Sequence, residues 1–217
     1  MWFDDPKVCP QWNAAAGALA KADPKLGRLI ASIGPCALQR RKDYFVVLAK
    51  AIFSQQISTA VARVLFARFK KLFPAGRPTP QRVLDLLSKN PQVARQCGLS
   101  RQKEAYLLDL ARHFVTGEIP TRRFAKMDDE QIIESLVRVK GVGRWTAEMF
   151  LIFVLNRPNV LPVDDLGLRK VIQNLRRMKE LPKPKECTRI GKRWHPHRSL
   201  ATWYLWRSLD NQSQKKK

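Results

Sequence analysis

With 217 residues and 45% hydrophobic composition, the chain can bury one large or two small cores, which excludes a charged, unfolded tail. Lys and Arg total 41 against 18 Asp and Glu, a formal charge of +23 that points to an anionic partner, nucleic acid before an anionic membrane surface, with a merely solubilising surface as the alternative. A spanning helix needs roughly 20 consecutive apolar residues, and no run approaches that length.

The first stretch, "MWFDDPKVCP", lacks the basic and apolar regions of a secretory signal. From Tyr44 onward the periodicity is helical. "YFVVLAKAIFSQQISTAVARVLFARFKKLF" predicts a stripe through Phe45, Leu48, Ile52, Ile57, Val61, Val64 and Leu65. "TPQRVLDLLSKN" starts at Thr79 with Pro80 in the first helical position, and "SRQKEAYLLDLARHFVTG" runs from a capping Ser100 to Gly117. "DDEQIIESLVRV" carries acidic residues at 128–130, matched to the positive end of a helix. "FPAGRPTP" reads as a connection between helices, and "ELPKPKECTRIGKRWHPHRS" as a longer excursion before the last helix. The tail "NQSQKKK" is expected to be disordered. Cys9, Cys36, Cys97 and Cys187 are scattered, as reduced and mostly buried thiols would be. Strand alternation bounded by hairpin turns is absent, so the fold class is all-α.

The stretch "LVRVKGVGRWTAEMFLIF" places "KGVG" between two apolar helices. Ile132, Ile133, Leu136 and Val137 form the face of the first, and Phe150, Phe153 and Val154 that of the second. The two glycines are expected to take positive φ and to leave bare amides at the start of the second helix, where an anion such as a phosphate is favoured. A plain αα-hairpin with a glycine turn has the same local sequence.

Together with "AIFSQQISTAVA", "CGLSRQKEAYLLDLARHF", "VLPVDDLGLRK" and "HPHRSLATWYLWRSLD", this segment resembles the helix-hairpin-helix DNA glycosylase superfamily, and within it the 3-methyladenine DNA glycosylase II (alkylpurine) branch. The likeness extends over about residues 43–210. Neither the N-terminal mixed sheet of some members nor the cysteine cluster of the endonuclease III branch is visible in the sequence. The resemblance implies two helical lobes with a DNA-binding cleft between them and a helix-hairpin-helix motif at about 131–155. One lobe would be a helical bundle over 44–155, and the other would combine 1–43 with 156–217.

Breaking an N-glycosidic bond builds positive charge on the sugar, and a fixed carboxylate stabilises it. "PVDD" puts Asp164 and Asp165 at a helix start, where either can also serve as a cap. By resemblance Asp165, directly before "LG", is the catalytic residue; Asp164 is the alternative under alignment to the more distant endonuclease III pattern. The resemblance implies that Gln56 fills the gap left by an extruded base, with Gln55 and Ser58 beside it at the DNA. Trp145 and Trp206 match pocket tryptophans suited to cationic alkylated purines, while Met149 stands where one relative has a base-stacking tyrosine. Trp203 and Tyr204 read as core aromatics. Amides of Gly141 and Gly143 with the Thr146 hydroxyl would take phosphates. Backbone carbonyls of Val137, Val139 and Val142 would hold a structural Na+ or K+, with no other cofactor required.

Bifunctional members carry a Schiff-base lysine where this chain has Trp145, and Lys140 lies on the wrong side of the glycines to replace it. The expected activity is therefore monofunctional removal of alkylated bases, 3-methyladenine and its relatives, from double-stranded DNA in base excision repair. A monomer in the cytoplasm (nucleoid-associated) or in the nucleus is expected, with no membrane partner. Two rival readings are a glycosylase for other damaged purines such as hypoxanthine, and a non-catalytic DNA-binding or damage-sensing protein. The second needs neither the carboxylate of "PVDD" nor paired tryptophans.

Overall fold

The computed structural model describes residues 9–214, and among them all regular elements are helices. The chain divides into two compact units: Arg41–Phe150, and the described residues before Arg41 together with those from Leu151 onward. These divisions fall a few residues before those at 44 and 155 expected from the sequence. Among the described residues no helix is long and apolar enough to cross a membrane.

Two helices precede the first one read from the sequence, α1 (Asn13–Ala22) and α2 (Pro24–Ile33). They pack on each other. Asp23 separates them as the N-cap of α2, accepting the Leu26 amide at 3.3 Å, and Pro24 follows in the position where a missing N–H costs nothing.

The Arg41–Phe150 unit begins with α3 (Tyr44–Ser54) and α4 (Thr59–Lys71). The long stripe expected through both is interrupted. Residues 55–58 leave the helix, Gln56 takes a left-handed φ of 57°, and the face resets. Val61 and Val64, expected inside, are therefore 48% and 50% exposed, while α4 buries Ala62, Phe66 and Phe69. Next come α5 (Pro80–Lys89), α6 (Pro91–Gln96) and α7 (Arg101–Val115). Thr79 and Ser100 cap α5 and α7 through their hydroxyls. The α7 helix packs against both α3 and α5. Phe53, Phe66, Phe69 and Phe73 form an aromatic cluster, the Phe53 ring 5.1 Å from those of Phe66 and Phe69 and the Phe73 ring 5.0 Å from that of Phe69. The hairpin follows as α8 (Asp129–Val137) and α9 (Arg144–Phe153). A reciprocal cap starts α8: Asp128 accepts the Gln131 amide and the Gln131 side chain accepts the Asp128 amide. Ile132, Ile133 and Leu136 are buried as expected, but Val137, the last residue of α8, is exposed.

In the other unit follow α10 (Leu166–Arg176), α11 (Pro184–Gly191) and α12 (Arg198–Gln214). The excursion before the last helix thus contains a helix of its own, started by Pro184 and by Glu186, whose carboxylate accepts the Lys183 amide. The α12 helix continues to Gln214, into the tail expected to lack structure; the last three lysines lie outside the described residues. It packs on α2 and α10, and α10 packs on α2 and α11. Asp23 is wholly buried and ties this unit together, accepting from the Trp194 indole at 2.8 Å and pairing with Arg176. Trp203 and Tyr204 are buried, and the Tyr204 hydroxyl donates to the Gly34 carbonyl. All four cysteines are free thiols; Cys36, Cys97 and Cys187 are buried, and burial pushes the Cys36 thiol up to about 12.

Candidate functional site

The turn between α8 and α9 needs only one of its glycines for conformation. Gly141 has φ 81°, and a Cβ there would sit 2.2 Å from the Tyr106 ring. Gly143 is not at positive φ, contrary to the expectation for both glycines, and a Cβ on it would meet nothing within 4 Å. Its value is openness: the start of α9 has no side chain in front of it at this position. Amides in a helix's first turn have no carbonyl partner within the helix, and the dipole there favours an anion. Arg144 opens α9 with an unfavourable charge for that end, but Glu130 takes its guanidinium in two hydrogen bonds of 2.6 and 2.8 Å, and Glu148 adds a contact at 3.4 Å. The Arg144 hydrogen bond holds the Glu130 carboxyl below its ordinary value. With that cation matched, an incoming anion is left to the backbone. Thr146 is buried, so its hydroxyl is less available than the amides.

The 55–58 turn is held next to the hairpin. The Gln55 side-chain amide donates to the Gly141 carbonyl at 2.7 Å. Gln56, at its left-handed backbone position, is exposed. Ser58 caps α4, its hydroxyl accepting the Val61 amide at 3.3 Å. Lys103 of α7 caps the end of α3 through the Phe53 and Gln55 carbonyls at 2.8 and 2.6 Å, and burial pushes its ammonium below the ordinary lysine value.

In the other unit, Asp165 is the N-cap of α10, its Oδ1 accepting the Leu168 amide and the Trp206 indole N–H, the latter at 3.0 Å. The preceding loop is fixed to the start of α12. The Ser199 amide donates to the Pro158 carbonyl at 3.0 Å, and the Ser199 hydroxyl accepts the Val160 amide at 2.9 Å. One helix therefore both anchors the loop that delivers the carboxylate and supplies the indole that orients it. Gly167 makes room for this: a Cβ there would lie 3.1 Å from the Asp165 oxygen. Asp164 is exposed at the surface and Asp165 is half-buried, so the two carboxylates of "PVDD" have different settings.

Within each unit the expected site residues fall into groups. Gln55 meets Gly141 directly, and Asp165 meets Trp206. Trp206 is 8% exposed, with one face stacked on Phe153 at 18° and its N–H on the carboxylate. Trp145 is 44% exposed at the start of α9, whereas Met149, one turn on, is 1% exposed and part of the core. The Val139 carbonyl accepts the Val142 amide at 3.0 Å. Lys103, Tyr106, Asp109 and Ser199 were not singled out from sequence. Their partners are distant in the chain, and none stands in a short motif; only the spacing of Lys103, Tyr106 and Asp109 on one helix was visible.

Comparison with known proteins places the chain in a family. The chain is 35% identical over 186 residues to DNA-3-methyladenine glycosylase 1 of Schizosaccharomyces pombe, spanning 85% of this chain and 80% of the relative. Its fold is similar to the solved structure of the S. pombe 3-methyladenine DNA glycosylase in complex with abasic DNA, with a TM-score of 0.77 and 34% identity, covering 89% of this chain and 95% of the other. It is also similar to a DNA-3-methyladenine glycosidase from Bacillus halodurans, with a TM-score of 0.79 and 28% identity over 89% and 88% of the two chains. Residues 49–197 match the family described as HhH-GPD superfamily base excision DNA repair protein, and the chain belongs to that superfamily.

Proposed function

We propose that the protein is a monofunctional DNA glycosylase that removes alkylated bases, 3-methyladenine among them, from double-stranded DNA, acting as a monomer in base excision repair. The observation that carries this reading is the Asp165 carboxylate, fixed at the head of α10 by a backbone amide and by the Trp206 indole. A carboxylate held by directional donors stabilises a developing sugar cation without having to reorganise during the reaction.

In the proposed reaction the C1′–N bond of an extruded nucleotide breaks and its electron pair leaves with the base. An alkylated purine is already cationic, so it departs neutral and needs little acid assistance. Asp165 stabilises the sugar cation until a water oxygen bonds to C1′ and loses a proton, leaving an abasic site. Gln56, exposed at a left-handed backbone position, suits the space vacated in the duplex, and the turn amides of Gly141 and Gly143, with open space in front of Gly143, suit the flanking phosphates. The exposed Trp145 offers an aromatic face to a cationic base and no amine for a Schiff base, which supports base release without strand cleavage. The carbonyls of Val137, Val139 and Val142 are hard oxygen donors in one turn, and the Val139 oxygen keeps a second lone pair beyond the amide it accepts. They suit a monovalent cation, which would offset the negative end of α8 for a phosphate.

The test is incubation of the purified protein with methylated duplex DNA, with released bases identified by chromatography. Asp165→Asn is expected to slow release by about 10²–10³-fold while leaving DNA affinity nearly intact. Undiminished release by that variant would overturn the assignment. Borohydride trapping is expected to give no covalent adduct, and an adduct would exclude the monofunctional mechanism.

A further inference from the structure

We infer that one side of α7, formed by Lys103, Tyr106 and Asp109, is a strut that sets the 55–58 turn and the hairpin at a fixed spacing, so that the two act on DNA as one rigid element. The inference rests on the reading that these two segments meet DNA, and it adds the residues that position them.

Each strut residue makes a different kind of contact. At the end nearer the helix start, Lys103 holds the Phe53 and Gln55 carbonyls. Midway, the Tyr106 ring fills the space where Gly141 has no side chain, with the Tyr106 hydroxyl accepting from Gln102 at 2.6 Å. Farther along, the buried Asp109 accepts the Lys140 amide at 2.8 Å. The Asp109 carboxylate is also 3.6 Å from His113 Nδ1. Six residues of helix span about 9 Å, so contacts one turn apart set the positions of the two loops like pegs on a rod. Gln55 closes the frame by reaching the Gly141 carbonyl directly.

Both loops need such support. Gln56 has a left-handed φ without being glycine, a conformation that persists only where surroundings impose it. A side chain entering a duplex while amides grip a phosphate must keep its offset from those amides within a fraction of an ångström. The chemistry of the three contacts is not that of generic packing: a cation on helix-terminal carbonyls, a ring against bare backbone, and a carboxylate on a turn amide.

The test has two arms. In the first, hydrogen exchange of the full chain is measured for Lys103→Met and Asp109→Ala, with thermal melting as a check on folding. Lys103 hydrogen-bonds at the α3 end, yet Lys103→Met is expected to raise exchange about tenfold at 140–143 as well as at 55–58; Asp109→Ala, which loses the acceptor of the Lys140 amide, is expected to do the converse. Changes confined to the loop that each residue touches would overturn the strut, whatever the protein's activity.

In the second arm, single-turnover base release is measured for Gln56→Ala in the wild-type and Lys103→Met backgrounds. The strut predicts that Gln56→Ala costs much less in the second background, because the glutamine is already out of place, and that Lys103→Arg restores much of the loss. Additive effects would overturn it. Should the wild type release no base, the proposed activity fails while the exchange arm still decides the strut. Were either variant to melt too early for exchange, Tyr106→Leu is measured in its place with the same two expectations.

Discussion

Gly141 combines a φ of 81° with the Tyr106 ring where a Cβ would project, while Gly143, two residues on, faces open space. The same substitution should therefore act on different properties at the two positions. Gly141→Ala meets backbone strain of about 1–3 kcal/mol together with overlap against an aromatic ring, and is expected to lower thermal stability by several degrees. Gly143→Ala meets neither. Its melting point is expected to stay within the scatter of a surface change, but its methyl group would stand before the amides of α9 and weaken binding to undamaged duplex about tenfold. Thermal melting and a DNA titration on both variants make the check. Loss of stability at Gly143, or unchanged DNA affinity there, would remove the phosphate role from that amide.

Between residues and the whole lie the helix starts, which were the most legible part of the sequence. Thr79 and Ser100 were read as start signals and each accepts the amide expected of a cap, while Asp128, read only as a charge matched to the helix dipole, caps α8 as well. For α8 the consequence is measurable. Asp128→Ala removes the carboxylate that accepts the Gln131 amide, leaving the backbone half of the reciprocal bond, and is expected to cost about 1 kcal/mol, read by chemical denaturation. Because α8 leads into the hairpin, the same variant should weaken DNA binding more than an equally destabilising change in α5 does. Elements without such signals were not legible. The 55–58 break has no Gly or Pro, and the residue before the left-handed Gln56 is held by Lys103 and by the hairpin, contacts that no local signal records. The helix α11 was hidden among the prolines and basic residues of its surroundings. The helix start at "PVDD" was legible because capping is local, but both aspartates read equally as caps and only the family resemblance favoured Asp165, which is the residue that caps α10. The indole that orients it comes from 41 residues away, and the Gln55 bond to the hairpin spans 86. No periodicity or spacing records contacts of that kind.

The excess of positive charge over the whole chain makes the few buried acidic groups costly to replace, and Asp23 is the most enclosed of them. It is 0% exposed, and its partners Trp194 and Arg176 lie 171 and 153 residues away, so a single carboxylate joins α2 to the ends of the unit's later helices. Burial alone would raise its pKa. Hydrogen bonds from Trp194, Arg176 and the Leu26 amide, with the Arg176 charge, outweigh burial and hold it below the ordinary 3.8. A carboxyl depressed in the folded state contributes stability that is complete above its unfolded pKa and is lost as pH falls through 3.8 toward the folded value. Asp23→Ala strands Arg176 in a largely buried position and is expected to cost about 3–5 kcal/mol near neutral pH. Below pH 3.8 the wild type progressively gives up the same contribution, so the gap between wild type and variant should narrow. Urea denaturation of both proteins from pH 7 downward measures that gap. A difference that stays constant through the acid range would mean that Asp23 acts through shape and capping alone, with no net contribution from its charge.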